Sequence, residues 1–417
     1  MSSHFDDREV RAPEARERDT FESLRAMLER SLKRLPALGA WLGHPDPASL
    51  TDRTALATLP VLRKPQLMDM QEATPPFGGL ADPDALRGNR VFLSPGPVWE
   101  PQGLGADPWS AARALFAAGF RAGDIVHNSL AYHMTPGGFI LDEGARALGC
   151  LVFPAGAGNT EAQVDAGARL KPSGYTGTPD YLKIILEKAD ELGRDLTSIR
   201  RALVSGGALF PSLRQYYADR GVSVLQCYAT ADLGVIAYES ADVDGAPNPG
   251  MIVNEDMIVE IVRPGTGDPV PDGEVGELVV TTLNPAYPLV RFGTGDLSAI
   301  LAGTSPCGRT GLRIQGWMGR ADQRTKVKGM FVDPKQVAEV LTAHPGIARA
   351  RLVVTRSGDA DVMTLRIEPT PGTAPDRGAI EATLAAISKL RGTVEIVATG
   401  SLPNDGKVIA DERDYSA

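Results

Sequence analysis

The chain has 417 residues, 43% of them apolar and 23% charged, with a formal net charge of −9. That composition fits a soluble globular protein of two or three domains, and the negative balance argues against nucleic acid as the main partner, because phosphate backbones attract basic surfaces. Cys150, Cys227 and Cys307 stand far apart, and the five histidines form no paired motif. No metal-ligand spacing or disulfide framework is visible, so a reducing cytoplasm is expected. The first residues (FDDREVRAPEARERD) are densely charged and hold no apolar signal core. No run of about 20 apolar residues is present to span a bilayer, so no membrane partner is expected.

In chain order, residues 20–33 carry Phe21, Leu24, Met27, Leu28 and Leu32 at helical spacing. The Pro-rich stretch around 74–83 reads as a loop. From 109 to 230 helix-like and strand-like segments alternate: WSAARALFAAGF before DIVHNSL, GGFILDEGARALG before CLVFP, EAQVDAGARL before SGYTGT, PDYLKIILEKADELG before RRALVSG, and PSLRQYYADRG before VSVLQCYAT. Short apolar strands alternating with helices imply an α/β domain whose parallel sheet is covered on both faces. After Asp232, MIVEIVRP, GEVGELVVTTL and LVRFG read as strands joined by Gly-Asp turns, a β-rich part closing the large domain. The helix VDPKQVAEVLTAH, with Pro334 suited to a first turn, opens a compact α+β unit. It continues through ARARLVVTR, DVMTLRIEP, GAIEATLAAISKL and TVEIV. The boundary falls at 316–322, which gives a large domain over 1–318 and a small one over 319–417.

Within Leu289–Ile300, Gly293 and Gly295 flank Thr294 and precede Asp296. Two glycines permit a tight backbone turn, and a carboxylate held there can accept hydrogen bonds from two neighbouring hydroxyls, as on a ribose. From Arg313 to Arg356 there are nine Lys or Arg against three Asp or Glu. This basic stretch in an acidic chain suits an anionic ligand.

Four motifs follow one another: CYATADLG (227–234), RFGTGDL (291–297), GRADQRTKVKG (319–329) and LPNDGK (402–407). Their order and spacing resemble the phenylacetate–CoA ligase family of the adenylate-forming superfamily, from about Leu59 to Lys407. The resemblance implies the adenylate-forming fold with a small mobile C-terminal domain. It also implies ATP, Mg²⁺ and coenzyme A as cofactors and a small carboxylic acid as substrate, with a homodimer as a further possibility. The expected activity is that of an AMP-forming acid–CoA ligase acting on an aryl or arylacetic acid. Two alternatives stand beside it: an adenylating enzyme that loads a carrier protein or an amine, and a non-catalytic nucleotide- or acyl-binding homologue.

The same resemblance assigns residues. Lys407 matches the catalytic lysine, and Asp322 the hinge about which the small domain turns between half-reactions. Lys326 and Gly329 lie on the side that serves thioester formation. Asp296 matches the ribose-binding aspartate and Arg320 a nucleotide-contacting arginine. Gly206, Gly207 and Ala208, after Ser205, match the loop against adenine. Tyr228, Ala229 and Thr230 match the adenine-side motif, with Asp232 at the Mg²⁺ position. Here Ala229 replaces Gly, Ala231 replaces a hydroxyl residue and Asp232 replaces Glu. Tyr132, His133, Gly137 and Gly138 correspond to the segment lining the acyl pocket. One motif departs strongly. Where the family has a Ser/Thr/Gly-rich loop ending in Lys, this chain reads FLSPGPVWEPQG (92–103). Pro95, Pro97 and Pro101 have no amide hydrogen to offer phosphate, and Glu100 is expected to repel it.

Overall fold

The computed structural model describes residues 3–413 apart from 95, 208, 243, 244, 322, 324, 328, 329, 358 and 359, and of 326, 331, 357 and 360 only the backbone. The chain forms two units. One comprises Met1–Val259, Val280–Phe292 and Leu301–Gly316, the other Glu260–Val279, Gly293–Ile300 and Trp317–Ala417.

In the first unit, strand Ser223–Thr230 pairs in parallel with Arg201–Val204, followed by Gly174–Gly177, Ile125–Asn128 and Leu151–Pro154. Antiparallel strands Gly234–Tyr238, Met251–Val253 and Arg313–Ile314 extend the other side. Helices Gly137–Ala147, Thr160–Leu170, Pro179–Glu191 and Pro211–Asp219 make the crossovers. Successive strand residues point to opposite faces, and here both faces are apolar. Leu203 and Leu225 enter one core with Phe92, Trp109, Leu115 and Phe120. Their neighbours Ala202, Val204 and Val224 enter a second with Leu182, Ile185 and Tyr217. Burial on both sides is what makes these strands short continuous apolar runs. The first long helix, Pro13–Arg34, starts earlier than its apolar stripe because Pro13 is compatible with a first turn; it buries Phe21, Leu24, Met27 and Leu28.

In the second unit, strands Ile347–Ser357 and Ala360–Pro369 form a long antiparallel pair. Thr393–Ile396 and Ile409–Asp411 join its two edges in parallel. Helices Pro334–Ala343 and Arg377–Ser388 cover it over a core that includes Val337, Val340, Leu352, Leu365, Ile380 and Leu384. Both helices are capped by an aspartate: Asp333 forms a capping box with Gln336, and Asp376 accepts from Gly378 N and Ala379 N.

The structure differs from the sequence reading at LVRFG. The strand there runs over Phe292–Ser298 and carries the Gly-Thr-Gly-Asp sequence inside it instead of ending before it. Gly295 adopts φ +71°, so the strand is locally twisted rather than broken into a turn. Arg291 is wholly buried, and its guanidinium donates to the carbonyl oxygens of Ala57 and Leu59. Among the described residues, no helix is long and apolar enough to cross a membrane.

Candidate active site

In an open parallel sheet the carboxyl ends of the strands are where ligands bind, and the motif residues of the first unit collect at such ends. Strand Arg201–Val204 runs into Ser205, whose Oγ donates to the Cys227 carbonyl at 2.9 Å and ties the loop to the next strand. Gly206 follows at φ +73°, a left-handed value that favours glycine, and a Cβ on Gly207 would sit 3.2 Å from the Pro179 ring. Tyr228, Ala229 and Thr230 close strand Ser223–Thr230, with a register shift between Tyr228 and Ala229. Asp232 sits at the tip of the tight hairpin that leads into Gly234–Tyr238. The Thr230 hydroxyl accepts from the Leu233 amide at 3.2 Å and stabilises the hairpin.

The acyl-pocket candidates follow strand Ile125–Asn128. The Tyr132 hydroxyl accepts from Asn128 Nδ2 at 2.7 Å and donates to Asp142 Oδ2 at 2.8 Å, so the ring is fixed. A Cβ on Gly138 would meet that ring at 2.8 Å and the Ala131 carbonyl at 2.9 Å, which makes glycine necessary there. Gly137 opens the following helix, and His133 is exposed. The Leu93 amide donates to the Met134 carbonyl at 2.9 Å, joining this segment to the altered phosphate loop.

That loop is an antiparallel hairpin of Val91–Ser94 and Val98–Pro101. Gln71 grips its backbone, donating to the Trp99 carbonyl and accepting from the Trp99 amide, both at 2.8 Å. Glu100 points inward and is only 3% exposed. It accepts a short hydrogen bond from Ser94 Oγ, and it lies within hydrogen-bonding reach of the Asp232 carboxyl. Burial first, and the Asp232 charge second, push the Glu100 carboxyl up to about 9. Lys64, at the start of helix Lys64–Ala73, places Nζ 3.2 Å from Asp232 Oδ2. Its Cε lies 3.6 Å from where a Gly96 Cβ would be. Burial and the nearby Asp232 and Glu100 carboxyls raise the Tyr287 phenol well above its usual value. Sequence reasoning placed Glu100 against phosphate and missed Lys64 altogether, since Lys64 lies 168 positions from Asp232 and in no shared motif.

In the second unit, Asp296 is 8% exposed. Its Oδ1 accepts from Arg320 Nη1 at 2.8 Å and from Trp317 Nε1 at 3.1 Å. Thr294 Oγ1 accepts from the Asp296 amide at 3.1 Å. Asp296 and Arg320 are therefore brought together, and Trp317 is a partner the motif reading did not include. Lys407 is exposed on a loop anchored from several sides. Arg351 makes a two-pronged ion pair with Asp405 at 3.1 and 2.8 Å. Gln323 donates to the Gly406 carbonyl at 2.8 Å and accepts from the Ile409 amide at 2.8 Å. A Cβ on Gly406 would strike Val275 Cγ1 at 2.6 Å. The backbone of Lys326 lies in the strand Thr325–Val327, paired with Met330–Val332. Ala208, Asp322 and Gly329 lie outside the described residues.

A family model described as AMP-binding enzyme matches residues 111–286. The phenylacetate–coenzyme A ligase of Thermus thermophilus is 32% identical over 83% of this chain and 82% of its own length. That of Aromatoleum evansii is 31% identical over 79% and 75%. The chain belongs to the phenylacetate–CoA ligase family. A phenylacetate–CoA ligase-like chain is an acid–CoA ligase of the adenylate-forming, AMP-forming type, and the fold agrees. The solved structure of a 2-hydroxyisobutyryl-CoA ligase in the postadenylation state, in complex with 2-HIB-AMP, superposes with a TM-score of 0.71. It is 24% identical and covers 99% of this chain and 93% of that one.

Among the described residues, no group of three or more His, Cys, Asp or Glu gathers to hold a metal. Asp232 Oδ1 and Glu100 Oε2 are both buried and receive no hydrogen bond from any other described residue. They are hard oxygen donors of the kind Mg²⁺ prefers, so the residues present fit such an ion.

Proposed function

We propose that this ligase activates an aryl or arylacetic acid such as phenylacetate with ATP and passes the acyl group to coenzyme A. In the first half-reaction the substrate carboxylate attacks the α-phosphorus and the bond to pyrophosphate breaks, leaving an acyl-adenylate. In the second the coenzyme A sulfur attacks the acyl carbonyl and AMP leaves. The first step brings two anions together, and two unit charges at 4 Å repel by about 4 kcal/mol at an effective dielectric near 20. Cations must therefore face the reacting phosphate. Lys407 is the proposed ammonium, and Arg320 a second basic contact to the nucleotide. Mg²⁺, when bound, neutralises phosphate charge, with Asp232 as its proposed ligand.

The remaining roles follow the same reading. Asp296 holds the ribose hydroxyls, Gly206, Gly207 and Ala208 with Tyr228–Thr230 flank the adenine, and the Tyr132–Gly138 segment walls the acid. Asp322 serves as hinge, and the Lys326–Gly329 side serves the thioester step. The small domain is proposed over 319–417. Support comes chiefly from the 32% identity to a phenylacetate–coenzyme A ligase along 83% of the chain.

The test is a screen of carboxylic acids for ATP–pyrophosphate exchange, repeated with coenzyme A and read for thioester. Exchange with an arylacetic acid and coenzyme A-dependent thioester is the expected result; exchange without any thioester points to another acceptor. The buried Glu100 in place of the loop lysine favours one second reading, a homologue that binds nucleotide or acyl ligand without turnover. That reading requires ligand binding with no pyrophosphate exchange for any acid.

A further inference from the structure

Glu100 stands where the family resemblance puts a phosphate-binding lysine, and the structure turns its side chain inward onto Asp232 instead of outward to solvent. Two buried carboxyls in reach of each other cannot both be charged unless a cation stands between them; without one, a proton must. Lys64 meets only part of that need: its ammonium contacts Asp232 Oδ2 and is 35% exposed. Asp232 Oδ1 and Glu100 Oε2 remain buried with no donor from any other described residue. Ser94 holds the other Glu100 oxygen, so the unpartnered one is fixed in place. The hairpin is rigidly placed by Gln71, and its prolines cannot offer amides to phosphate.

We propose that Glu100 is a metal ligand, and that Glu100 Oε2 and Asp232 Oδ1 together hold one divalent cation of the Mg²⁺ or Mn²⁺ class. This deepens the ligase reading and rests on it. The chain has exchanged a lysine that grips phosphate directly for a second carboxylate that grips it through a cation. The exchange also accounts for Asp in place of Glu at position 232. A side chain one methylene shorter leaves room for the longer Glu100 arm to reach the same ion.

The experiment is a Mn²⁺ titration of the full chain without nucleotide, followed by electron paramagnetic resonance of the free ion. The wild type is expected to take up one equivalent saturably. Glu100→Gln and Asp232→Asn are each expected to weaken binding at least about ten-fold, as loss of a ligand does at least what loss of its supporting partner does. Lys64→Met removes a competing ammonium and is expected to tighten binding, a change in the direction that misfolding cannot imitate. An unchanged Mn²⁺ affinity in Glu100→Gln, or weaker binding in Lys64→Met, overturns the site even if the wild type forms thioester. The expected Mn²⁺ pattern in a chain that forms no thioester with any acid upholds the site and counts against the ligase reading alone.

Discussion

His127 lies on strand Ile125–Asn128, one strand in from the edge of the parallel sheet, and is wholly buried. Gln163 donates to the Gly156 and Gly158 carbonyls, so its oxygen accepts and His127 Nε2 is the donor, at 2.8 Å. Burial lowers the affinity of this imidazole for a proton. The folded chain therefore keeps it neutral while the unfolded chain charges it below about pH 6.5. Below that pH the unfolded state binds more protons, and stability falls by about 1.4 kcal/mol per pH unit until the depressed folded value is reached. Urea unfolding at pH 7.5 and 5.5 measures this. His127→Gln is expected to show a shallower loss than the wild type, by about 1 kcal/mol. Equal losses in the two proteins exclude the buried neutral imidazole. None of this was legible from the sequence, where His127 is one of five scattered histidines. Its neighbour Gln163 lies 36 positions away and only the crossover helix brings it close.

At the scale of elements, two segments carry more than their sequence suggests. The N-terminus is densely charged, yet Glu9 in the short helical turn Asp7–Val10 is 2% exposed. It makes ion pairs with Arg309 at 3.0 Å and Arg113 at 3.3 Å and accepts from the Tyr238 hydroxyl at 2.9 Å. Those partners come from a distant loop, a helix and a sheet strand, which periodicity in one segment cannot reveal. Glu9→Ala leaves two buried guanidinium groups without this carboxylate and is expected to cost about 3–5 kcal/mol in chemical denaturation. A cost under about 1 kcal/mol, the range of an exposed pair, would show the network to be dispensable. The second segment is the Lys407 loop, whose motif is readable but whose anchoring by Arg351, Gln323 and Asn404 is not. If Lys407 is the adenylating ammonium, Lys407→Ala keeps the circular dichroism spectrum and loses about 10²–10³-fold in pyrophosphate exchange. Exchange at the wild-type rate in that variant removes the assignment.

For the whole molecule, the core of the C-terminal strands is a cluster distinct from the two cores of the parallel sheet. The core beneath the Ile347–Ser357 and Ala360–Pro369 strands is closed by its own helices, while the parallel sheet is packed on both faces by others. Separate cores favour more than one unfolding transition. Leu365 is fully buried in the C-terminal core, and Leu365→Ala is expected to cost about 2–5 kcal/mol there. Scanning calorimetry is expected to show one transition moved down and another left in place. A single transition that shifts as a whole would mean the cores unfold together.

Much of this protein was determined by local pattern. Apolar runs of strand length separated by helical periods suffice to specify the alternating α/β part, because a strand buried on both faces and the helices that cover it are defined by their own residues. The four ordered motifs likewise carried the family, since each is a contiguous stretch that can be read without its tertiary neighbours. Tertiary structure alone decided the electrostatics. It turned Glu100 inward onto Asp232, brought Lys64 beside them, buried Arg291 against two carbonyls and gave Glu9 its cationic partners. The reason is physical: the state of a charge depends on which distant chain segments exclude water from it and which opposite charges they supply.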